Sequence, residues 1–224
     1  MQDHIVKSFD IEIATLKESL MEMAKKCENQ LEKSAQALKI MDQDLAAKVI
    51  ETDKEVNAHQ RKVEDAAVAC LAKRQPVAVD LRQLLCMMRM ASELERIGDY
   101  TANVAKRVTL LEKPVENDAL ELIIAMANTS RIMLHDISTA FLMLDLDQAV
   151  EVWNKDDEID RKYSRLVRML RRAMQADAEK VDDATNQIFI GRCFERIGDH
   201  ITNIAEDIYY IISGKNFLGQ FGME

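Results

Sequence analysis

The chain has 224 residues, a formal net charge of −9 and a sequence pI near 5.1, with 48% hydrophobic but only 5% aromatic residues. That acidity argues against direct nucleic-acid binding, and no apolar run approaches the ~18 residues that a membrane span needs. Cys27, Cys70, Cys86 and Cys193 form no Cys-x-x-Cys and follow no secretory leader, so reduced thiols in a cytoplasmic protein are expected, three of them in the core.

Two prolines, 13 methionines and abundant Ala, Leu, Ile, Glu and Lys are helix-former usage, and no stretch sustains the period-two alternation of a strand. In chain order the spacing predicts six helices, at about 4 to 41, 45 to 74, 78 to 112, 117 to 144, 148 to 177 and 182 to 213. Asp42-Gln43-Asp44 and Asp145-Leu146-Asp147 read as turns carrying helix N-caps. Pro76 and Pro114 punctuate the first half, and the Asp177 to Asp183 segment is the second-half counterpart of the Pro76 turn. Gly214 reads as a C-cap before a glycine-containing tail. Leu81, Leu84, Leu85 and Met88 in the third helix, and Ile188, Ile190, Phe194, Ile197, Ile201, Ile204 and Ile208 in the sixth, repeat at three and four and mark core faces. The fold class is therefore all-α, with two tandem, pseudo-symmetric, elongated three-helix bundles over residues 1–113 and 114–224.

That division rests on an internal duplication. Glu95-Arg96-Ile97-Gly98-Asp99 recurs as Glu195-Arg196-Ile197-Gly198-Asp199, with Asn103 and Asn203 following at the same spacing. A second pair aligns at a slightly different offset: Asp53-Lys54-Glu55-Val56-Asn57 with Asp156-Asp157-Glu158-Ile159-Asp160. An antiparallel hairpin turning at Pro76 brings Asp53 level with Asp99, and Asn57 level with Glu95. A turn near Asp177 does the same for Asp156 with Asp199 and Asp160 with Glu195. Scattered solvated carboxylates would not produce that symmetry twice.

Residues at i, i+4 and i+8 share one helix face, and stacked carboxylates repel. The candidate ligands are Asp53, Asn57, Glu95, Asp99 and Asn103 in the first half, and Asp156, Asp160, Glu195, Asp199 and Asn203 in the second. An all-oxygen, thiolate-free set suits a hard or borderline cation, magnesium and manganese included. Asn57 stands where the second half has Asp160, so the second site is expected to bind more tightly. Glycine inside a helix costs about 0.5 to 1 kcal/mol relative to alanine; Gly98 and Gly198 thus imply a close approach, by a helix, a backbone or a ligand. The alternative for each stripe is an acidic surface patch held by Arg96 and Arg196.

The doubled Glu-Arg-Ile-Gly-Asp phrases with an acidic partner on the preceding helix resemble the PhoU family of phosphate-signalling proteins, and Gly191-Arg192-Cys193-Phe194 before the second copy, with Asn203-Ile204-Ala205-Glu206 after it, is similar to that family's second repeat. The resemblance spans essentially the whole chain. It implies a non-enzymatic cytoplasmic accessory protein of a phosphate ABC transporter. Such a protein links the transporter ATPase to a membrane sensor histidine kinase, represses the phosphate-starvation response, carries iron or zinc on its two acidic patches, and forms a homodimer peripheral to the membrane at most.

Arg161, Lys162, Arg165, Arg168, Arg171 and Arg172 form a basic face on the fifth helix, read either as a solvated exterior or as a docking surface for an acidic partner or an anionic membrane. His4, His59, His135 and His200 are not expected to be ligands; His200 adjoins Asp199 but points about 100° away from the stripe. The rival readings are a ferritin-like or di-metal carboxylate iron protein, whose Glu-x-x-His motif is absent from this sequence, and a metal-free helical adaptor.

Overall fold

The computed structural model describes residues 2–111 and 118–217, with side chains from Phe9 onward. Six helices follow in order: α1 Gln2–Ile40, α2 Gln43–Arg74, α3 Ala78–Val108, α4 Asp118–Met143, α5 Leu146–Ala176 and α6 Val181–Ser213, with a 3-10 turn at Ala178–Lys180 before α6. No strand occurs among the described residues. No helix among them is long and apolar enough to cross a membrane.

The breaks have local chemical causes. Asp42 and Asp145 are extended N-caps whose carboxylates accept from Leu45 N at 2.8 Å and Gln148 N at 3.0 Å, satisfying amides that the first helical turn leaves open. Before Pro76, Gln75 turns left-handed at φ 49° and ends α2; Asp177 accepts from Glu179 N at the matching turn of the second half. Gly214 closes α6 at φ 71° with its amide on Tyr210 O, a conformation that glycine adopts without a Cβ penalty. One boundary differs from expectation. The third helix ends at Val108, not 112, because Leu110 N and Leu111 N bond three residues back, to Arg107 O and Val108 O, and tighten the last turn. Pro114, the glycines beyond 217 and the His4 side chain lie outside the described residues.

The three helices of each half pack on one another. Between halves α3 packs on α6 and α1 on α4, while α2 and α5 touch only their own half among the described residues. Equivalent helices thus meet across the seam, the pattern of an isologous, two-fold contact. Leu20, Met23, Leu31, Leu84, Met87, Leu94 and Ile97 fill the first core, and Ile123, Met133, Phe141, Phe194 and Ile201 the second; one continuous apolar cluster joins them. Each such fully buried side chain stabilises by about 1.5–3 kcal/mol.

On α6 the apolar face is as expected, with Ile188 partly buried. On α3 it is rotated. Leu84 is buried but Leu81 and Leu85 are 37% and 43% exposed, because the core direction runs through Leu84, Met87, Ala91 and Leu94, about 100° and 140° from those two at 100° per residue. Cys27, Cys70 and Cys86 are buried thiols and Cys193 is half-buried.

Candidate metal centres

The two hairpins α2–α3 and α5–α6 carry the acidic motifs, and each brings them to one height. In the first, the Asp53 carboxylate of α2 reaches over Gly98 of α3: a Cβ at residue 98 would stand 3.1 Å from Asp53 Oδ1 and 3.3 Å from Val56 Cγ1. In the second, Asp156 Oδ1 occupies the space that a Cβ on Gly198 would take, with Ile159 Cδ1 at 3.2 Å. The close approach that the glycines require is therefore made by a carboxylate from the facing helix. Glu95 and Asp99 lie on either side of Gly98 along α3, and Glu195 and Asp199 on either side of Gly198 along α6, so three acidic groups act on one another in the first half and four, with Asp160, in the second.

Electrostatics report the convergence. Burial and the neighbouring charges of Asp160, Asp199 and Glu195 push the Asp156 carboxyl up to about 7. Burial and Asp199 raise both Asp160 and Glu195, with Arg192 opposing. In the first half, burial and then Asp99 raise Asp53 and Glu95, with Lys106 opposing at Asp53 and Arg96 at Glu95. Desolvation penalises each charged form and like charges add to it.

The oxygens at the bottom of both clusters have no donor. Asp53 Oδ1, Asn57 Oδ1, Asp156 Oδ1 and Glu195 Oε2 are buried without a hydrogen-bond partner, a condition that costs roughly 1–3 kcal/mol per group and more when charged. Arg96 and Arg196 do span their carboxylates, at 3.6 and 3.7 Å to Glu95 and Asp99 and at 3.9 and 3.2 Å to Glu195 and Asp199. Both are exposed, at 60% and 45% of the side chain, and pairs of that kind contribute little. They cap the patches from outside: Arg196 Nε approaches Glu195 Oε2 at 3.9 Å without a hydrogen bond, while neither arginine pairs with Asp53 or Asp156 among the described residues. The donor set, all oxygen and mostly anionic, fits a hard or borderline cation. Among the described residues no three His, Cys, Asp or Glu side chains are already gathered as ligands round one point, so ion binding here requires side-chain rotation.

Asn103 and Asn203 stand apart from the carboxylates. Asn103 Oδ1 accepts from Lys106 Nζ at 3.2 Å, and Asn203 Nδ2 donates to Glu93 Oε2 of α3 at 3.0 Å. Each i+4 step drifts by about 40° round a helix, and by the third residue the stripe has turned into the α3–α6 seam. His200 faces that seam too, with Nδ1 at 2.6 Å from Glu93 Oε2. His59 and His135 lie near Glu22 and Glu28, at 3.6 and 3.4 Å. Gln30 was not expected: this buried α1 residue places Oε1, also without a donor, 3.4 Å from the same Gly98 position. It shares the buried side of α1 with two other polar residues, Glu28 and Ser34, and no motif in the sequence singles it out.

The basic face of α5 is largely solvated. Arg161 and Lys162 pair with Asp157 and Glu158 one turn back, and Arg165, Arg168, Arg171 and Arg172 are exposed.

The PhoU domain family matches the chain twice, over residues 20–108 and 123–208. The chain is 35% identical over 220 residues to the phosphate-specific transport system accessory protein PhoU of Escherichia coli K12, covering 97% of this chain and 90% of that protein. It is 34% identical to the homologue from Caulobacter vibrioides, over 98% and 96% of the two chains. Among solved structures, PhoU from Pseudomonas aeruginosa superposes with a TM-score of 0.89 at 32% identity, covering 92% of this chain and all of that one. The phosphate transport system regulatory protein PhoU from Streptococcus pneumoniae gives 0.87 at 29%, over 93% and 99%.

Proposed function

The chain belongs to the PhoU family, and on that premise we propose that it is an accessory regulator of phosphate uptake that works as a metal-loaded adaptor in the cytoplasm. It acts negatively, coupling the phosphate transporter's ATPase to a sensor histidine kinase so that starvation genes stay silent when phosphate is plentiful. It works as a homodimer, and each of its two halves, 1–113 and 114–224, is a three-helix unit with one metal centre.

The observation that carries the metal reading is the pair of buried, donorless carboxylate oxygens, Asp53 Oδ1 and Asp156 Oδ1, at equivalent places under Gly98 and Gly198. The residues that would hold the ions are Asp53, Asn57, Glu95 and Asp99 in the first centre and Asp156, Asp160, Glu195 and Asp199 in the second; Asn103 and Asn203 would join only by leaving their partners in the seam. A bound iron, zinc, magnesium or manganese ion would supply positive charge that lets the raised carboxyls ionise together and ties the two helices of each hairpin. A metal-free adaptor is the competing reading, favoured by the Arg96 and Arg196 pairs, and metal content separates the two.

The regulatory reading is tested in the cell of origin. Deleting the gene should raise expression from phosphate-starvation promoters in phosphate-replete medium, and restoring it should silence them. Unchanged expression in the deletion strain overturns the negative role without touching the metal reading.

A further inference from the structure

Two grooves run along the seam between α3 and α6, and the duplication makes them equivalents. One contains Asn103, Lys106, Arg107, Leu110, Phe189 and Cys193; the other contains Asn203, Glu206, Asp207, Tyr210, Arg89 and Glu93, each at the matching position 100 residues away. At two of these positions the charge is inverted, Lys106 against Glu206 and Arg107 against Asp207.

The acidic groove satisfies itself. Asp207 pairs with Arg89 at 2.6 Å, and Glu93 accepts from Asn203 and meets His200. Its cavity is about 230 Å³. The basic groove does not. The position that supplies Arg89 to the acidic groove holds Phe189 here, and the position of Glu93 holds Cys193, so among the described residues neither Lys106 nor Arg107 has an ion pair. Arg107 is fixed in place: its guanidinium lies over the Phe189 ring at 4.2 Å and Nη1 donates to Asn186 Oδ1 at 3.0 Å. Arg192, a third cation on the wall, is taken up by Glu195. No carboxylate lines this groove, in a chain whose net charge is −9. Its cavity is about 480 Å³, and Phe189 and Leu110, 47% and 66% exposed, give it apolar walls.

We propose that the groove of Lys106 and Arg107 binds a phosphate-bearing metabolite of nucleotide size. A prearranged guanidinium beside an ammonium is the donor set that phosphate oxygens accept from. The volume lies within the range of small-molecule sites and exceeds what one orthophosphate fills, while the exposed ring and Leu110 offer contact to a base or sugar. The site borders the first metal centre, since Lys106 Nζ donates to Asn103 Oδ1 at 3.2 Å, but does not rest on that centre's occupancy. The Lys106 charge also acts on Asp53 there.

The test is equilibrium dialysis of the full chain against ATP, AMP and orthophosphate in buffer with EDTA, which keeps metal from bridging phosphate to the carboxylates. ATP is expected to saturate at one per chain, to weaken as salt rises, and to bind more tightly than AMP, with orthophosphate weakest. Arg107→Gln and Lys106→Gln should each weaken ATP about tenfold or more, the loss of one charge-assisted contact. Glu206→Gln, in the twin groove, should leave ATP binding unchanged. Lys106 is exposed, so its variant keeps the test valid should Arg107→Gln fail to fold. Absence of saturable ATP binding, unaltered binding in Lys106→Gln, orthophosphate binding as tight as ATP, or poly-glutamate binding more tightly than ATP would each overturn the proposal, the last by marking a peptide groove.

Discussion

Asp156 Oδ1 lies against the Cα of Gly198, in the volume a methyl group on that residue would need. The neighbouring helix therefore inserts a carboxylate at this glycine, whereas at Gly191, about two turns earlier, it inserts the apolar Leu166. Gly198→Ala gains helix propensity of about 0.8–1 kcal/mol but must displace Asp156 and press on Ile159. We expect a net loss of about 1 kcal/mol or more in denaturant unfolding and reduced metal content. Gly98→Ala, whose Cβ would meet Asp53 Oδ1 at 3.1 Å, should be close to neutral. Equal effects at the two glycines would contradict the geometry.

The raised carboxyls give the metal-free chain a definite pH dependence. Asp156 titrates near 7 in the folded chain against an ordinary value of 3.8. Its contribution is therefore fully present below pH ~4 and lost as pH rises toward 7, because the unfolded chain ionises more readily. Metal-free protein should lose stability across that window, and Asp156→Asn should flatten the loss and gain on the order of 1 kcal/mol near pH 7.5. Metal affinity should move the other way and rise with pH, since ligands must be deprotonated. Chelated protein that is equally stable at pH 5 and 7.5 would contradict this.

A different carboxylate marks the seam. Asp207 is 7% exposed, and burial outweighs the Arg89 charge so that its carboxyl is pushed up to about 7. Its favourable contribution too is lost as pH rises through that value. Arg89→Met leaves Asp207 without its cation; because the Arg89 side chain is 54% exposed and the pair is partly screened, the cost when Asp207 is charged should be roughly 1–3 kcal/mol. The cost measured by urea unfolding should be larger at pH 8 than at pH 5, where Asp207 is protonated. A pH-independent cost would mean that Arg89 acts through packing on Tyr210 alone.

The two metal centres should respond unequally. Asp199→Asn removes one anionic donor at constant size and should empty the second centre, while the metal-free bundle gains a few tenths of a kcal/mol from relief of like charges. Asp99→Asn should lower total bound metal less, because Asn57 already makes the first centre poorer in charge than Asp160 makes the second. Metal stoichiometry of the two variants, measured side by side, checks the order.

Most of this architecture was legible because the chain marks its own breaks. Asp42 and Asp145 cap where acidic turn residues predict, Gly214 closes α6, and the equidistance of Asp53 and Asp99 from Pro76 survives in the hairpin. What was not legible depends on rotation about a helix axis. Leu81 and Leu85 fit an i, i+4 pattern, but only the packing of Leu84, Met87 and Ala91 fixes where the core lies. The same drift takes Asn103 and Asn203 out of the carboxylate stripes. Gln30 comes from a third helix with no motif. The inversion of Lys106 and Arg107 against Glu206 and Asp207 was present in the repeat alignment throughout, but it acquires a meaning only when α3 and α6 meet and one groove lacks the counter-charge the other has.

The central claim is that each acidic hairpin holds metal through the carboxylate beneath its glycine. Elemental analysis of protein purified without chelator, for the wild type, Asp53→Asn, Asp156→Asn and the double variant, tests it most directly. The account predicts metal in the wild type, a partial loss in Asp53→Asn, a larger one in Asp156→Asn, and none left in the double variant with all four proteins folded. Metal-free wild type, or a double variant that retains the wild-type metal content, would contradict it.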